Sequence, residues 1–272
     1  VTARLDLVIV THNTRDDVLA AITSVFAHPP GGLGRVLVVD NASTDGTAEA
    51  IGRVWPHVEV IALDHNRGFA AANNVGLRAA TAPLVLLLNS DTLVPAGAIE
   101  VLVERLMWTG AVAAGPRLDG PDGAPEVSFG RMLSPLAEAV QAIRVRLARR
   151  HTGLGRRYID RLLRRERDVD WVSGACLLVR REAALAAGLF DERYFLYEED
   201  VDFCAALRAR GGRIVFTPAA RVIHLGGRST TGVPTIRTLH YDRSHLAFYE
   251  KHRPGWVPLL RLWLRIRRRP IR

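Results

Sequence analysis

The first hundred residues repeat one unit four times: a short apolar run, a polar cluster, then a stretch of helical character. The runs are RLDLVIV (4–10), RVLVVD (35–40), HVEVIAL (57–63) and PLVLLLN (83–89). Helical stretches follow over 17–27, 45–54 and 69–80, and a fourth begins after Pro95. Runs of four to seven β-branched and aliphatic residues, alternating with helices of about ten, predict a parallel sheet with helices on both faces. Ligands of such sheets bind beyond the carboxyl ends of the strands. The polar clusters THN, DNASTDGT, DHNRG and NSDT all fall at those ends. Four loops therefore converge on one edge, and that edge is the expected site.

The second half reads differently. AVAAGPRL (111–118) and DWVSGACLLVRR (170–181) are strand-like, as are RIVFTP and ARVIHLG further on. Between the first two lies a turn-rich segment and then a basic insert, 140–167, with ten arginines against Asp160 and Glu166. YFLYEEDVDFCAALRARG (194–211) places an acidic cluster at the start of a helix, and two helices close the chain. The expected organisation is one domain over 1–230 with a basic helical extension over 231–272. Within the domain, 1–118 holds the alternating units and 119–230 the basic insert and the acidic cluster.

Net charge is +9, and Lys251 is the only lysine among 37 basic residues. Cys176 and Cys204 are widely spaced in apolar surroundings, which predicts buried free thiols in a reducing compartment rather than a zinc site. No apolar run reaches the roughly 18 to 20 residues that span a bilayer. No secretory signal pattern opens the chain, so a cytoplasmic location is expected.

Several motifs carry chemistry, each with a plainer alternative. Ser43 or Thr44 can cap the following helix, with Asp45 favouring its positive end, whereas Asp40 ends an apolar strand and can accept hydrogen bonds from a base or ribose. In NRGFAAANNVG, Gly68 permits a tight turn, Arg67 can meet a phosphate, and the helix N-terminus favours an anion. Asn73 and Asn74 are costly inside a helix, so at least one should have a polar task. GGLG (31–34) precedes a strand instead of following one, so it is a connector and not a dinucleotide fingerprint. Asp91 of NSDT either caps a helix or holds a divalent cation, which needs few protein carboxylates and completes its shell with water and phosphate oxygens. Glu198, Glu199, Asp200 and Asp202 exceed what a helix cap needs, and their repulsion should raise at least one pKa.

Seven segments in order, VIVTHN, VVDNASTDGT, NRGFAAANNVG, LLLNSDT, DWVSGACLLVRR, FLYEEDVDFC and VIHLGG with RST, resemble an inverting family 2 glycosyltransferase of the GT-A fold. The branch they are most similar to is the bacterial rhamnosyltransferase-like one, which builds cell-wall and surface polysaccharides. The resemblance covers residues 5 to about 230. It implies an α/β fold with a mixed, mainly parallel sheet, a nucleoside-diphosphate sugar donor (dTDP- or UDP-linked), a lipid-linked or glycan acceptor, and Mg2+ or Mn2+. Thr11, Asn13 and Asp40 would surround base and ribose; Arg67, Gly68 and Asn73 would shape the nucleotide pocket. Asn89, Ser90 and Asp91 occupy the Asp-x-Asp metal motif, with Asn in the first position, so one formal charge is missing and Asp91 carries more of the binding. His224 matches a position facing metal or diphosphate, although a lone histidine on a strand is more often structural. Asp200 would be the general base and Glu199 its neighbour. Trp171, Ser173 and Gly174 would floor the acceptor site, with Trp171 stacking on a sugar or simply packing in the core.

Two other readings compete. A sugar nucleotidyltransferase should show a glycine-rich basic loop after the first strand, and THNTRDD is not one. A non-catalytic nucleotide-sugar-binding module would not require the Glu199–Asp200 pair. The tail LLRLWLRIRRRPIR has six arginines between 261 and 272 among apolar residues. That composition suits an amphipathic helix on an anionic membrane, where about 1 kcal/mol per basic residue caps the electrostatic gain near 6 kcal/mol. The basic tracts lack the interleaved aromatics of a base-stacking surface, so nucleic acid is not an expected partner.

Overall fold

The computed structural model describes residues 4–148, 153–226 and 234–266. The first half comprises β1 (Leu5–Thr11), α1 (Arg15–Ala27), β2 (Leu33–Asp40), α2 (Thr47–Val54), β3 (Glu59–Ala62), α3 (Phe69–Ala79), β4 (Leu84–Asn89), β5 (Thr92–Leu93), α4 (Ala98–Thr109) and β6 (Ala113–Asp119). The second half adds β7 (Phe129–Gly130), α5 (Pro135–Ala148), α6 (Gly153–Leu162), β8 (Arg167–Val169), β9 (Trp171–Val172), β10 (Cys176–Arg180), α7 (Arg181–Ala186), α8 (Glu199–Ala209), β11 (Ile214–His224), α9 (Pro234–His252) and α10 (Val257–Ile266).

Among the described residues the main sheet has nine strands, running β3-β2-β1-β4-β10-β6-β11-β5, with β8 paired to β11 outside that path. The pairs β3–β2, β2–β1 and β1–β4 are parallel, as the alternation predicts. β10 enters antiparallel between β4 and β6, which makes the sheet mixed. Side chains alternate across it with the period of two that a strand imposes. Val8, Val10, Leu37, Val39, Val85 and Leu87 share one core layer with Ala70, Leu77 and Phe203. Leu7, Ile9, Val36, Val38, Leu86 and Leu88 face the other, against Val18, Ile22, Leu102 and Leu106. Because both faces are covered, β4 reads as an unbroken apolar run up to Asn89, and β1 as one interrupted only by Asp6 before Thr11.

The structure refines several strand expectations. RIVFTP and ARVIHLG form one strand, β11, whose register against β6 shifts between Thr217 and Arg221. DWVSGACLLVRR splits into β9 and β10, because Gly174 turns out of the ladder toward α8. The basic insert forms α5 and α6, and its end returns to the sheet as β8. There Glu166 takes a two-pronged bond from Arg105 at 2.8 and 2.6 Å. Both cysteines are buried and unpaired, and burial pushes each thiol up to about 12. Among the described residues, no helix is long and apolar enough to cross a membrane.

Candidate active site

The carboxyl ends of β2, β1 and β4 lie side by side, with Thr11 opposite Asp40 and Val10 opposite Asn89. Every loop leaving these ends is hydrogen-bonded to another. Thr11 and Thr14 share a hydroxyl bond of 2.8 Å, and the Thr14 hydroxyl donates to Ser90 Oγ at 3.0 Å. Asn13, at φ 52°, donates its N–H to Ser43 Oγ, and its Oδ1 accepts from the Thr44 N–H at 2.7 Å. The loops after β1, β2 and β4 are therefore one unit. Asp40 is buried, and its Oδ1 accepts the Ser43 N–H at 3.1 Å, so this carboxylate does brace its own turn. Asp45, rather than Ser43 or Thr44, serves the start of α2, accepting the Thr47 N–H at 3.1 Å.

Asn41, for which the motif itself suggests no role beside Asp40, organises the next loop. Its Oδ1 accepts the Arg67 N–H at 2.9 Å and its Nδ2 donates to Asn66 Oδ1 at 2.9 Å. Gly68 sits at φ 83°, and a Cβ there would lie 2.6 Å from the Phe195 carbonyl oxygen. That carbonyl also accepts the Phe69 N–H at 2.7 Å. The glycine is required because the loop packs directly on the segment leading into the acidic helix α8. The Arg67 guanidinium lies 3.6 Å from Glu192. Of the two helical asparagines, Asn73 donates to the Phe69 carbonyl within its own helix. Asn74 fixes tertiary structure: it accepts the Phe190 N–H and donates to the Phe190 carbonyl and Glu192.

Beyond β4, the Asn89 Oδ1 is buried without a hydrogen-bond partner. Asp91 is 4% exposed, and β5 pairs with the end of β11, which brings in His224. His224 Nε2 lies 3.3 Å from Asp91 Oδ1, and its Nδ1 lies 3.0 Å from Glu126 Oε2. Burial alone would lower the imidazole's pKa, but its bonds to the two carboxylates outweigh this and push it up to about 10. Glu126 is a further residue that sequence reading missed. RST of the final motif lies outside the described residues.

The acidic helix reaches the same edge. The Asn89 N–H donates to the Ala175 carbonyl at 3.0 Å, which sets Gly174 beside the end of β4. The Gly174 N–H donates to Asp200 Oδ2 at 2.8 Å, and the Val201 N–H to Oδ1 at 2.8 Å. A Cβ at Gly174 would stand 3.3 Å from that of Asp200. Burial raises the Asp200 pKa, and the two N–H bonds draw it only partly back. Glu199 is buried with Oε2 unpartnered; burial first, and the Asp200 charge second, hold it well above the usual carboxylate range. Desolvation thus outweighs the mutual repulsion expected from the sequence. Asp202 belongs to a separate network with Lys251 (2.8 Å) and His252 (2.6 Å). Trp171 donates its indole N–H to the Arg131 carbonyl at 2.9 Å, and its ring packs on Gly130. Ser173 donates its N–H to the Ser128 carbonyl and accepts from the Ala175 N–H.

The edge thus presents Asp40, a cationic imidazole between two carboxylates, an orphan amide oxygen, and a carboxylate pair of raised pKa. That set can bind an anionic nucleotide and withdraw a proton. Comparison with known proteins fits it. Residues 6–185 match the model described as Glycosyl transferase family 2. The chain is 34% identical over 243 residues to the N-acetylglucosaminyl-diphospho-decaprenol L-rhamnosyltransferase of Mycobacterium tuberculosis, covering 85% of this chain and 79% of that one. The crystal structure of GalNAc-T7 with UDP, GalNAc and Mn2+ superposes with a TM-score of 0.66 at 16% identity, over 92% of this chain and 48% of that chain. The mannosyltransferase PcManGT from Pyrobaculum calidifontis, in complex with GDP-Man and Mn2+, gives 0.62 at 19% identity, over 96% and 69%. The last two speak to the fold alone, which is GT-A-like. Fold, family match and mycobacterial relative agree over the strands that build this edge: the chain belongs to glycosyltransferase family 2.

Proposed function

We propose that the chain transfers L-rhamnose, with inversion, from a dTDP- or UDP-linked donor to a hydroxyl of a polyprenyl-diphosphate-linked saccharide in cell-wall or surface glycan synthesis. The observation that carries the reading is the half-buried Asp200, held by two backbone N–H groups beside β4. The transferred sugar and the acceptor class follow the mycobacterial relative, and the nucleotide follows the family resemblance. In a single displacement the acceptor hydroxyl attacks the anomeric carbon, gives its proton to Asp200, and the nucleoside diphosphate leaves. Burial and the neighbouring Asp200 charge hold Glu199 well above the usual carboxylate range, so of the pair Asp200 is the more readily ionised. Thr11, Asn13 and Asp40 hold base and ribose; Arg67, Gly68 and Asn73 shape the pocket; Ser173 and Gly174 border the acceptor beside Trp171.

A divalent cation fits the donor set. Asn89 offers a buried orphan oxygen and Asp91 a carboxylate, and His224 would add an imidazole nitrogen once the ion displaces the proton that Nε2 shares with Asp91; phosphate and water would complete the shell of Mg2+ or Mn2+. Bound there, the ion would neutralise charge developing on the diphosphate.

The extension supports attachment to the inner face of an anionic membrane. On α10, Leu264 is buried, while Leu259, Leu262 and Ile266 are 59%, 54% and 72% exposed, and Trp256 and Trp263 are partly exposed beside them. Arg261 and Arg265 belong to the same helix, and the other four arginines of the tail lie outside the described residues. The test is transfer from a panel of dTDP-, UDP- and GDP-sugars to a polyprenyl-diphosphate saccharide in anionic vesicles. dTDP- or UDP-rhamnose should be the productive donor, and GDP-sugar turnover alone would contradict the reading. Deleting 259–272 should abolish co-sedimentation with those vesicles, and unchanged co-sedimentation would remove the membrane role.

A further inference from the structure

We propose that His245 is a positioning residue for this transfer, clamping Glu198 between α9 and α5 so that the acidic turn delivers Asp200 to Gly174. This rests on Asp200 being the base.

The turn before α8 is held in an uncommon shape. Tyr197 and Glu198 have φ of 72° and 66°, a left-handed pair in which neither residue is glycine. Side chains in that region persist only where the surroundings over-determine them. The constraint comes largely from α9. His245 Nδ1 lies 3.1 Å from Glu198 Oε1, and its Nε2 lies 3.3 Å from Glu138 Oε2 on α5. The Tyr249 hydroxyl donates to the other oxygen of Glu138, and the imidazole is flanked by the rings of Tyr241 and Tyr249 at 5.5 and 5.0 Å. Ser244 donates to the Leu196 carbonyl at 2.8 Å, while Lys251 and His252 hold Asp202. α9 therefore grips residues 196, 198 and 202, on both sides of Glu199 and Asp200.

Chemistry gives the clamp its direction. Both imidazole nitrogens face carboxylates, so both carry protons and the ring is a cation. Its bonds to Glu138 and Glu198 outweigh the burial that would lower its pKa, and push it up to about 9. Glu198 is itself buried, with Oε2 unpartnered, and burial raises its pKa. Without the imidazole, the buried Glu198 carboxylate and the partly exposed Glu138 carboxylate would lose the cation between them, and the left-handed turn would lose its main tether. None of the proposed donor contacts at Thr11, Asp40 or Arg67 runs through His245, so its loss should act on turnover rather than on donor binding.

The test compares His245→Asn with His245→Gln in the full chain. The shorter amide places an N–H near the Nδ1 position and keeps the Glu198 bond. The longer one reaches the Nε2 side and keeps only the Glu138 bond. His245→Asn should transfer at close to the wild-type kcat, whereas His245→Gln should lose about 10-fold or more, the scale of a small misplacement of a reacting group. The donor KM should be unchanged in both. Equal kcat in the two variants, whether high or low, would reduce His245 to a packing residue and overturn the proposal. Asp200→Asn run alongside separates the two failures: if it transfers like wild type, the base assignment falls and this inference with it. If it is inactive while both His245 variants match wild type, only this inference falls.

Discussion

Asp200→Asn is expected to transfer sugar about 10²–10⁴-fold more slowly than wild type at saturating donor, with little change in donor KM. The replacement is nearly isosteric, and its amide oxygen can still accept the Gly174 N–H that anchors Asp200. What it lacks is basicity, so the hydroxyl keeps its proton as the leaving group departs. The wild-type pH profile should carry the matching signature. Burial raises both Asp200 and Glu199, so the acid limb of kcat should lie above the ordinary carboxylate range of about 4. Below that limb Asp200 is protonated and cannot accept the hydroxyl proton; as pH rises through it, activity appears. Steady-state kinetics across pH on both proteins checks each part, and a wild-type limb that persists unchanged in Asp200→Asn would assign it elsewhere.

Asp91→Asn should lower transfer by about 10²-fold, on the scale seen when one group stabilising the developing charge is removed. Asp91 sits where β4, β5 and β11 meet: its backbone carbonyl accepts the Leu225 N–H at 2.8 Å and its carboxylate faces His224. The backbone contact survives the substitution, so the fold should stand. Neutralising the carboxylate leaves His224 with Glu126 as its charged partner and removes the main negative charge of the cation site. Titrating activity against Mn2+ should show a higher requirement in the variant. An identical Mn2+ response in the two proteins would place the ion away from Asp91.

The parallel half of the fold was legible because its central strands, β1 and β4, are buried on both faces and so declare themselves as largely apolar runs. The polar loop after each run marked the edge where the site lies. Less was visible where distant segments meet. Glu126 stands in a turn-rich stretch 98 residues before His224, and nothing local signals that β11 carries them together. Asn41 was masked by its neighbour Asp40, although its side chain is what shapes the Arg67–Gly68 loop. Asn73 and Asn74 look equivalent in sequence, yet only the latter's bonds reach another element, because helical rotation points it at Phe190 and Glu192. An aspartate in an apolar strand is not by itself a site, either. Asp6 lies in β1, and there it accepts the N–H groups of Arg35, Thr81 and Ala82, tying the strand to neighbouring loops. The acidic cluster could be seen in the sequence, but its division of labour could not, since Glu198 and Asp202 turn to α9 while Asp200 turns to Gly174.

Direct attack by a hydroxyl whose proton passes to Asp200 leaves a fingerprint in the product. The anomeric configuration of the transferred sugar, read by NMR on the isolated saccharide, should be opposite to that of the donor. A product retaining the donor's configuration would mean two displacements or an internal return, and would contradict the chemistry assigned to this sheet edge.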